Sequence, residues 1–193
     1  MNIAGKPEII DIFFLILFLR ITYIAISRGL LREICKIVGL LGAVFFAFHF
    51  YSNLAGILKT KISFINPTYL DFVSFFLIFI VIKVVFSLLN LIISLFLPKE
   101  EISGRKRVVL LGMGVFRSLF LFSTIFFLLQ LSSFKPNYFK NSLSYNLSKN
   151  ISAKFYLMAG KIINKFNNNF KINEEIEKHL QKEEPSKKES IKT

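Results

Sequence analysis

The sequence is short of the residues that most chemistry needs. It has one cysteine, two histidines and 12 acidic residues among 193. The single Cys35 excludes an internal disulfide framework and reads as a small buried hydrophobe. His49 and His179 are remote in sequence and lack ligand spacing, so no metal site and no cofactor is expected. No nucleophile–base–acid set, Walker-type loop, dinucleotide fingerprint or metal box occurs, and the chain does not read as an enzyme. Mid-span carboxylates, expected in many proton-coupled transporters, are nearly absent.

Apolar residues are abundant: 53% of the chain is hydrophobic and 24 residues are Phe. Most charge lies in short connectors and in the C-terminal third. Several runs reach or approach the ~20 apolar residues that cross a bilayer core of about 30 Å. The net charge of +13 would suggest nucleic acid in a soluble protein. No nucleic-acid-binding motif accompanies it, and the cations sit beside apolar runs. Anionic lipid headgroups are the expected partner, and nucleic acid is not.

These features predict an all-α, polytopic membrane protein with four spans arranged as two hairpins. The spans are expected near residues 9–26, 34–51, 70–97 and 108–131, within a membrane domain of residues 1–134. Pro7 precedes the first span, where proline suits a helix start. Asp11 and Arg20 interrupt that run and no small-residue cleavage site follows, so it reads as a retained helix rather than a signal peptide. The connector Ser27-Arg28-Gly29-Leu30-Leu31-Arg32-Glu33 is too short for a domain, so spans one and two are expected to be antiparallel neighbours. Its bland reading is a generic turn, with arginines on lipid phosphates and glycine for the bend. Glu33 suits the positive end of the second helix. Gly39, Gly42 and Ala43 share a helix face that lets a neighbour approach closely. Residues 52–69 read as an interfacial loop. A second basic turn fills residues 99–107, and Gly112, Gly114 and Ser118 open the fourth span.

Residues 135–180 form an extramembrane segment. Within it Ile151, Phe155, Met158, Ile162 and Phe166 recur at helical spacing, with Lys154, Lys161 and Lys165 elsewhere around the helix. This is a basic amphipathic helix over 151–166, suited to a membrane surface or to packing on the bundle. Residues 181–193 are charged, without apolar periodicity, and read as a disordered tail.

Three cations fall inside spans: Arg20, Lys83 and Arg117. Each is costly in hydrocarbon. Together they would form a basic cavity for an anionic ligand, with Glu33, Asp11 and Asp71 as candidate partners. Otherwise Arg20 and Lys83 snorkel to the interface, and Arg117 donates a hydrogen bond to a helix brought close by Gly112 and Gly114.

The connector pattern, followed by an apolar span ending in Phe48-His49-Phe50-Tyr51, resembles the bacterial colicin V production protein family. So do Asn90 in span three, then Gly104 and Arg107, then Gly114-Val115-Phe116-Arg117. The resemblance covers roughly residues 8–145. Lys106 stands where the family commonly has an acidic residue, Ser118 where it often has glycine, and Arg20 and Lys83 match nothing in its pattern. The resemblance implies a four-span protein of the bacterial inner membrane with a role in toxin (colicin V) production and envelope homeostasis. It makes Arg28, Gly29, Arg32, Glu33, Asn90, Gly104, Arg107, Gly114 and Arg117 the motif residues. Two functional readings follow: an accessory or scaffold factor working through a homo-oligomer or a membrane-protein partner, and a small channel or transporter for an anionic solute.

Basic residues flank both short connectors, at Arg28, Arg32 and Lys36 and at Lys99, Arg105, Lys106 and Arg107. Lys6, Lys59, Lys61, Lys135, Lys140 and Lys149 stand on the other side. Charge counts most in short, dense connectors, so the turns near 28–33 and 99–107 are expected in the cytoplasm and both termini outside. A C-terminal alkaline phosphatase fusion is therefore expected to be active, and a C-terminal green fluorescent protein fusion dark. The reverse pattern would invert the topology.

Overall fold

A computed structural model describes residues 9–27, 29–61, 67–96, 103–131, 142–167 and 170–183. Within them lie α1 (Ile9–Ser27), α2 (Leu30–Lys61), α3 (Pro67–Phe96), α4 (Gly104–Leu131), α5 (Leu143–Ser148), α6 (Ile151–Phe166) and α7 (Glu174–Glu183). No strand occurs among the described residues. Helices α1 to α4 are each long and apolar enough to cross a membrane. The fold is the expected all-α, polytopic one.

Two helices are longer than the apolar runs indicated. α2 does not stop at Tyr51 but continues through Lys61, for 32 residues, so most of the expected loop over 52–69 is helix. Hydropathy marks where a span leaves hydrocarbon, whereas a helix continues into the interface wherever it finds partners. Here Ala55 is buried, and Lys59 Nζ meets Asp71 Oδ1 of α3 at 2.9 Å. α4 begins at Gly104, not 108, so Arg105, Lys106 and Arg107 form its exposed first turn. α3 starts at Pro67, a position where the missing N–H costs nothing.

Packing pairs the helices across the two hairpins. α2 lies mainly on α3 and α1 mainly on α4, so the closest neighbours are not the first two consecutive spans. Small residues decide this. A Cβ on Gly39 would lie 2.8 Å from Cβ of Phe86, and one on Gly42 would lie 3.1 Å from its ring, so this face of α2 seats an α3 phenyl group. Ala43 beside them is fully buried. At Gly114 a Cβ would lie 2.9 Å from Ala25 Cβ and 3.0 Å from the Thr22 backbone. Gly112, expected on a packing face, has nothing within 4 Å of a built Cβ and is exposed.

Both connectors emerge on one face of the bundle, because Arg32 Nη2 near the start of α2 donates to Ser94 O near the end of α3 at 3.3 Å. The half away from the connectors holds an aromatic core. The Phe48 ring centroid lies 4.6 Å from that of Phe127 and 5.2 Å from that of Phe75. The C-terminal segment closes this end. Asp11 of α1 accepts from Ser142 Oγ at 2.6 Å and from Ser144 N at 2.9 Å, which ties α5 to α1. Asn173 Nδ2 donates to Phe48 O at 3.0 Å, and its N–H donates to Tyr156 Oη, also at 3.0 Å. Burial pushes the Tyr156 phenol above its ordinary range, against the opposing pull of the Asn173 N–H.

The amphipathic helix has its expected bounds at α6, and it packs on the bundle. The fully buried face is Ser152, Ala153, Tyr156 and Gly160, and of the apolar stripe only Ile151 and Phe155 pack partly against the core. Ser123 and Ser152 join α4 to α6 through hydroxyl oxygens 3.0 Å apart. Met158, Ile162 and Phe166 stay exposed, the last at 89%. Apolar periodicity missed the docking face because small and hydroxylic residues make the closest helix contacts. Helix α7 extends the ordered segment to Glu183, and residues 184–193 of the expected disordered tail lie outside the described residues.

Gly114→Ala is expected to destabilise the protein by about 1–3 kcal/mol, because the added methyl meets backbone that cannot move cheaply. Gly112→Ala is expected to be neutral or slightly stabilising. Thermal midpoints of both variants in detergent check the contrast.

Candidate functional site

Two charged residues of the first connector, Arg32 and Glu33, fold inward. Gly29 O accepts the Glu33 N–H at 3.3 Å, which places Glu33 in the first turn of α2, near the helix's positive end. No glycine among the described residues takes a left-handed backbone conformation, so Gly29 serves as a helix start rather than a special bend. The Glu33 side chain is 0% exposed. Its Oε1 forms an ion pair with Arg117 Nη1 of α4. Its Oε2 lies 3.3 Å from Lys36 Nζ, one turn along α2. Arg117 Nη2 donates to Ile21 O of α1 at 3.1 Å. From α3, Lys83 lies within electrostatic reach of Arg117, Lys36 and Glu33. All four spans therefore contribute to one cluster, and three cations in it face one carboxylate.

A polar cleft adjoins the cluster. Its inner part has a volume of about 210 Å³ and is lined by Lys36, Gly39, Lys83, Ser87 and Asn90, with Cys35 and Phe86. Its outer part, about 290 Å³, shares Lys36, Ser87 and Asn90 and adds Arg32 and Ser94. Asn90 Oδ1 is buried and has no hydrogen-bond partner among the described residues.

Of the motif residues, Arg32, Glu33, Asn90 and Arg117 converge here, with Gly114 one turn before Arg117 and packed on α1. Gly104 and Arg107 do not: they sit exposed at the start of α4, where Arg107 N donates to Ser103 O at 3.1 Å. Arg28 lies outside the described residues. Ser118, at the place of a common family glycine, is buried and donates to Val115 O at 2.8 Å. Among the candidate carboxylate partners, Glu33 takes the Arg117 charge, Asp11 holds α5, and Asp71 pairs with Lys59. Arg20 is exposed on α1, whereas Lys83 joins the cluster instead of simply snorkelling away from it.

Sequence reading counted Lys36 only among the connector charges and overlooked Ser87 and Ser94. A signal existed, since Lys83, Ser87, Asn90 and Ser94 recur at spacings of four, three and four, one polar stripe along an otherwise apolar helix. His49, which showed no ligand spacing, is packed near the aromatic core. Its ring stacks on Phe170 at 4.8 Å and its Nδ1 lies 3.2 Å from Tyr156 Oη. No group of three His, Cys, Asp or Glu residues able to hold a metal occurs among the described residues.

Four apolar helices with both connectors on one face, clasped beneath that face by a buried ion-pair cluster, define a multi-pass membrane protein with a charged interior hub. The family described as colicin V production protein matches residues 10–153, a stretch that includes all four spans and every hub residue. The chain belongs to that family. Neither the curated proteins nor the solved structures contain a match to it.

Glu33→Gln is expected to cost about 3–5 kcal/mol, because it leaves Arg117 buried without a counter-charge. Replacing both, as Glu33→Gln with Arg117→Met, is expected to recover much of that loss. Thermal midpoints in detergent decide this, and an additive double variant would show that the pair is not coupled.

Proposed function

We propose that the chain is an accessory or scaffold factor of the bacterial inner membrane, not an enzyme. In this reading it supports production of a colicin V-type toxin and maintenance of the envelope by holding another membrane protein or a second copy of itself. The observation that carries the reading is α3. Leu70, Ser74 and Phe75 near its start are buried, but no residue over 76–96 is, and Leu88, Leu89, Leu91, Ile92 and Leu95 face outward. A helix held near its start by Phe75 and further along by Phe86 and the polar stripe, with its outer face bare, offers a long surface for another transmembrane helix. The internal hub supports the same reading, since most of its charge is engaged in joining spans.

The cations also support a second reading, passage of an anionic solute. A pore would have to continue from the cleft through the half that contains Phe48, Phe75 and Phe127, all buried and in mutual ring contact. That packing favours a blind cleft over a conduit.

A photo-crosslinking residue at Leu89 or Ile92, activated in cells, is expected to give a discrete adduct with a membrane protein or with a second copy. The same residue at buried Phe48 is expected to give none. Labelling of lipid alone at the α3 positions would remove the scaffold reading. Anion flux through liposomes that disappears on Lys83→Leu would establish the second.

A further inference from the structure

Among the described residues, charge balance inside the bundle is incomplete. Lys36 and Arg117 both engage Glu33, and that one carboxylate is the only acidic side chain in the cluster among the described residues. Lys83 makes no hydrogen bond or ion pair among the described residues, and its nearest charged neighbours include two more cations. An ammonium group in a membrane-spanning helix with like charges beside it is strongly unfavourable, and is ordinarily found paired. The missing partner is an anion.

The cleft has the shape and donors for one. Lys36 and Lys83 line its inner part with the hydroxyl of Ser87 and the carboxamide of Asn90. Asn90 Oδ1 has no partner among the described residues, and its amide group is available to turn its N–H toward a ligand. Arg32 lines the outer part, nearest the connectors, where its guanidinium is held by Ser94 O at 3.3 Å. The cations therefore run inward from the connector face. A combined space of several hundred cubic ångströms exceeds what water or chloride requires and suits a tetrahedral oxyanion with its substituent.

The geometry points to a binding site for a phosphate group between α2 and α3, held by Lys36 and Lys83 with Ser87 and Asn90 donating hydrogen bonds and Arg32 at the mouth. Phosphate fits better than carboxylate because its oxygens diverge in three dimensions, matching donors that come from two helices at several levels. Lysine binds phosphate as a point charge, needing no planar register. The mouth also favours a lipid as the source. Leu88 and Leu91 flank it and are exposed at 55% and 58%, so a headgroup entering sideways would leave its acyl chains along α3. Basic pockets between transmembrane helices are a known mode of anionic headgroup recognition. A soluble phosphate compound would use the same donors. The site goes beyond the scaffold reading and does not depend on it, since a crosslinked partner at α3 neither requires nor excludes a bound phosphate.

The test uses the full chain purified in a neutral detergent. Native mass spectrometry follows retention of phosphatidylglycerol against phosphatidylcholine, and thermal denaturation is followed with each lipid and with inorganic phosphate. The wild type is expected to retain phosphatidylglycerol and to gain stability from it. Lys83→Met is expected to weaken that binding about tenfold or more, the usual worth of one charge-assisted contact. Arg20→Met, which removes an exposed cation outside the cleft, is expected to leave it unchanged. A structural role for Lys83 makes a different forecast. If Lys83 only braced the fold, Lys83→Met would lower the midpoint with or without ligand. Under the present assignment it raises the ligand-free midpoint, by relieving repulsion, and abolishes the gain from ligand. Stabilisation by inorganic phosphate alone, lost in Lys83→Met, would keep the site and make its ligand a soluble phosphate. Equal response to both lipids and to phosphate, or equal binding by wild type and Lys83→Met, would overturn the assignment.

Discussion

The pairing of Glu33 with Arg117 holds the connector half of the molecule together. Neither group is tolerable alone in a low-dielectric bundle, where an isolated charge costs several kilocalories per mole even after relaxation. Paired, they fix the start of α2 against the middle of α4, and the second Arg117 nitrogen pins Ile21 of α1. Lys36 completes the carboxylate's surroundings. A purely apolar interface between these helices would permit sliding and rotation, since lipid chains compete equally for apolar surface. Charge supplies the register.

Packing around the pair follows from small residues. Gly114 lets α1 come close enough for Arg117 to reach the Ile21 carbonyl, and Gly39 with Gly42 lets Phe86 settle on α2, which brings the α3 polar stripe toward Lys36. The two halves of the bundle thus use different physics. The connector half is held by a few polar contacts of defined geometry. The opposite half is held by dispersion among Phe48, Phe75, Phe127 and Tyr156, then capped by Asp11 on α5 and Asn173 on α2. The bundle therefore has a closely packed aromatic end and a polar, partly hollow end.

The four spans were legible in the sequence because an apolar run of that length is stable almost nowhere but in a bilayer. The inward role of Glu33 and Arg117 was partly legible, because a charge in a span must find a partner. For Lys83 the sequence left two readings open, a cation of a basic cavity or a residue that reaches the interface. A long side chain on an isolated helix can do so, and only its neighbours decide the matter. The end of α2 at Lys61 was hidden because Ser52 and Asn53 look like a break, yet Ser52 Oγ accepts from Asn173, 121 residues away. The docking face of α6 was hidden because Ser152, Ala153 and Gly160 carry almost no hydrophobic signal.

The class of protein, the number of spans and the residues whose burial demands a partner all follow from the order of amino acids. Hydrophobic length and the cost of a charge in hydrocarbon are properties of each segment taken alone. Three outcomes came instead from the packed bundle: which carboxylate serves which cation, that α1 lies on α4 and α2 on α3, and that Lys83 faces a cleft with more positive than negative charge. Those outcomes depend on distances between helices, and distance between helices is set by side chains on both partners at once.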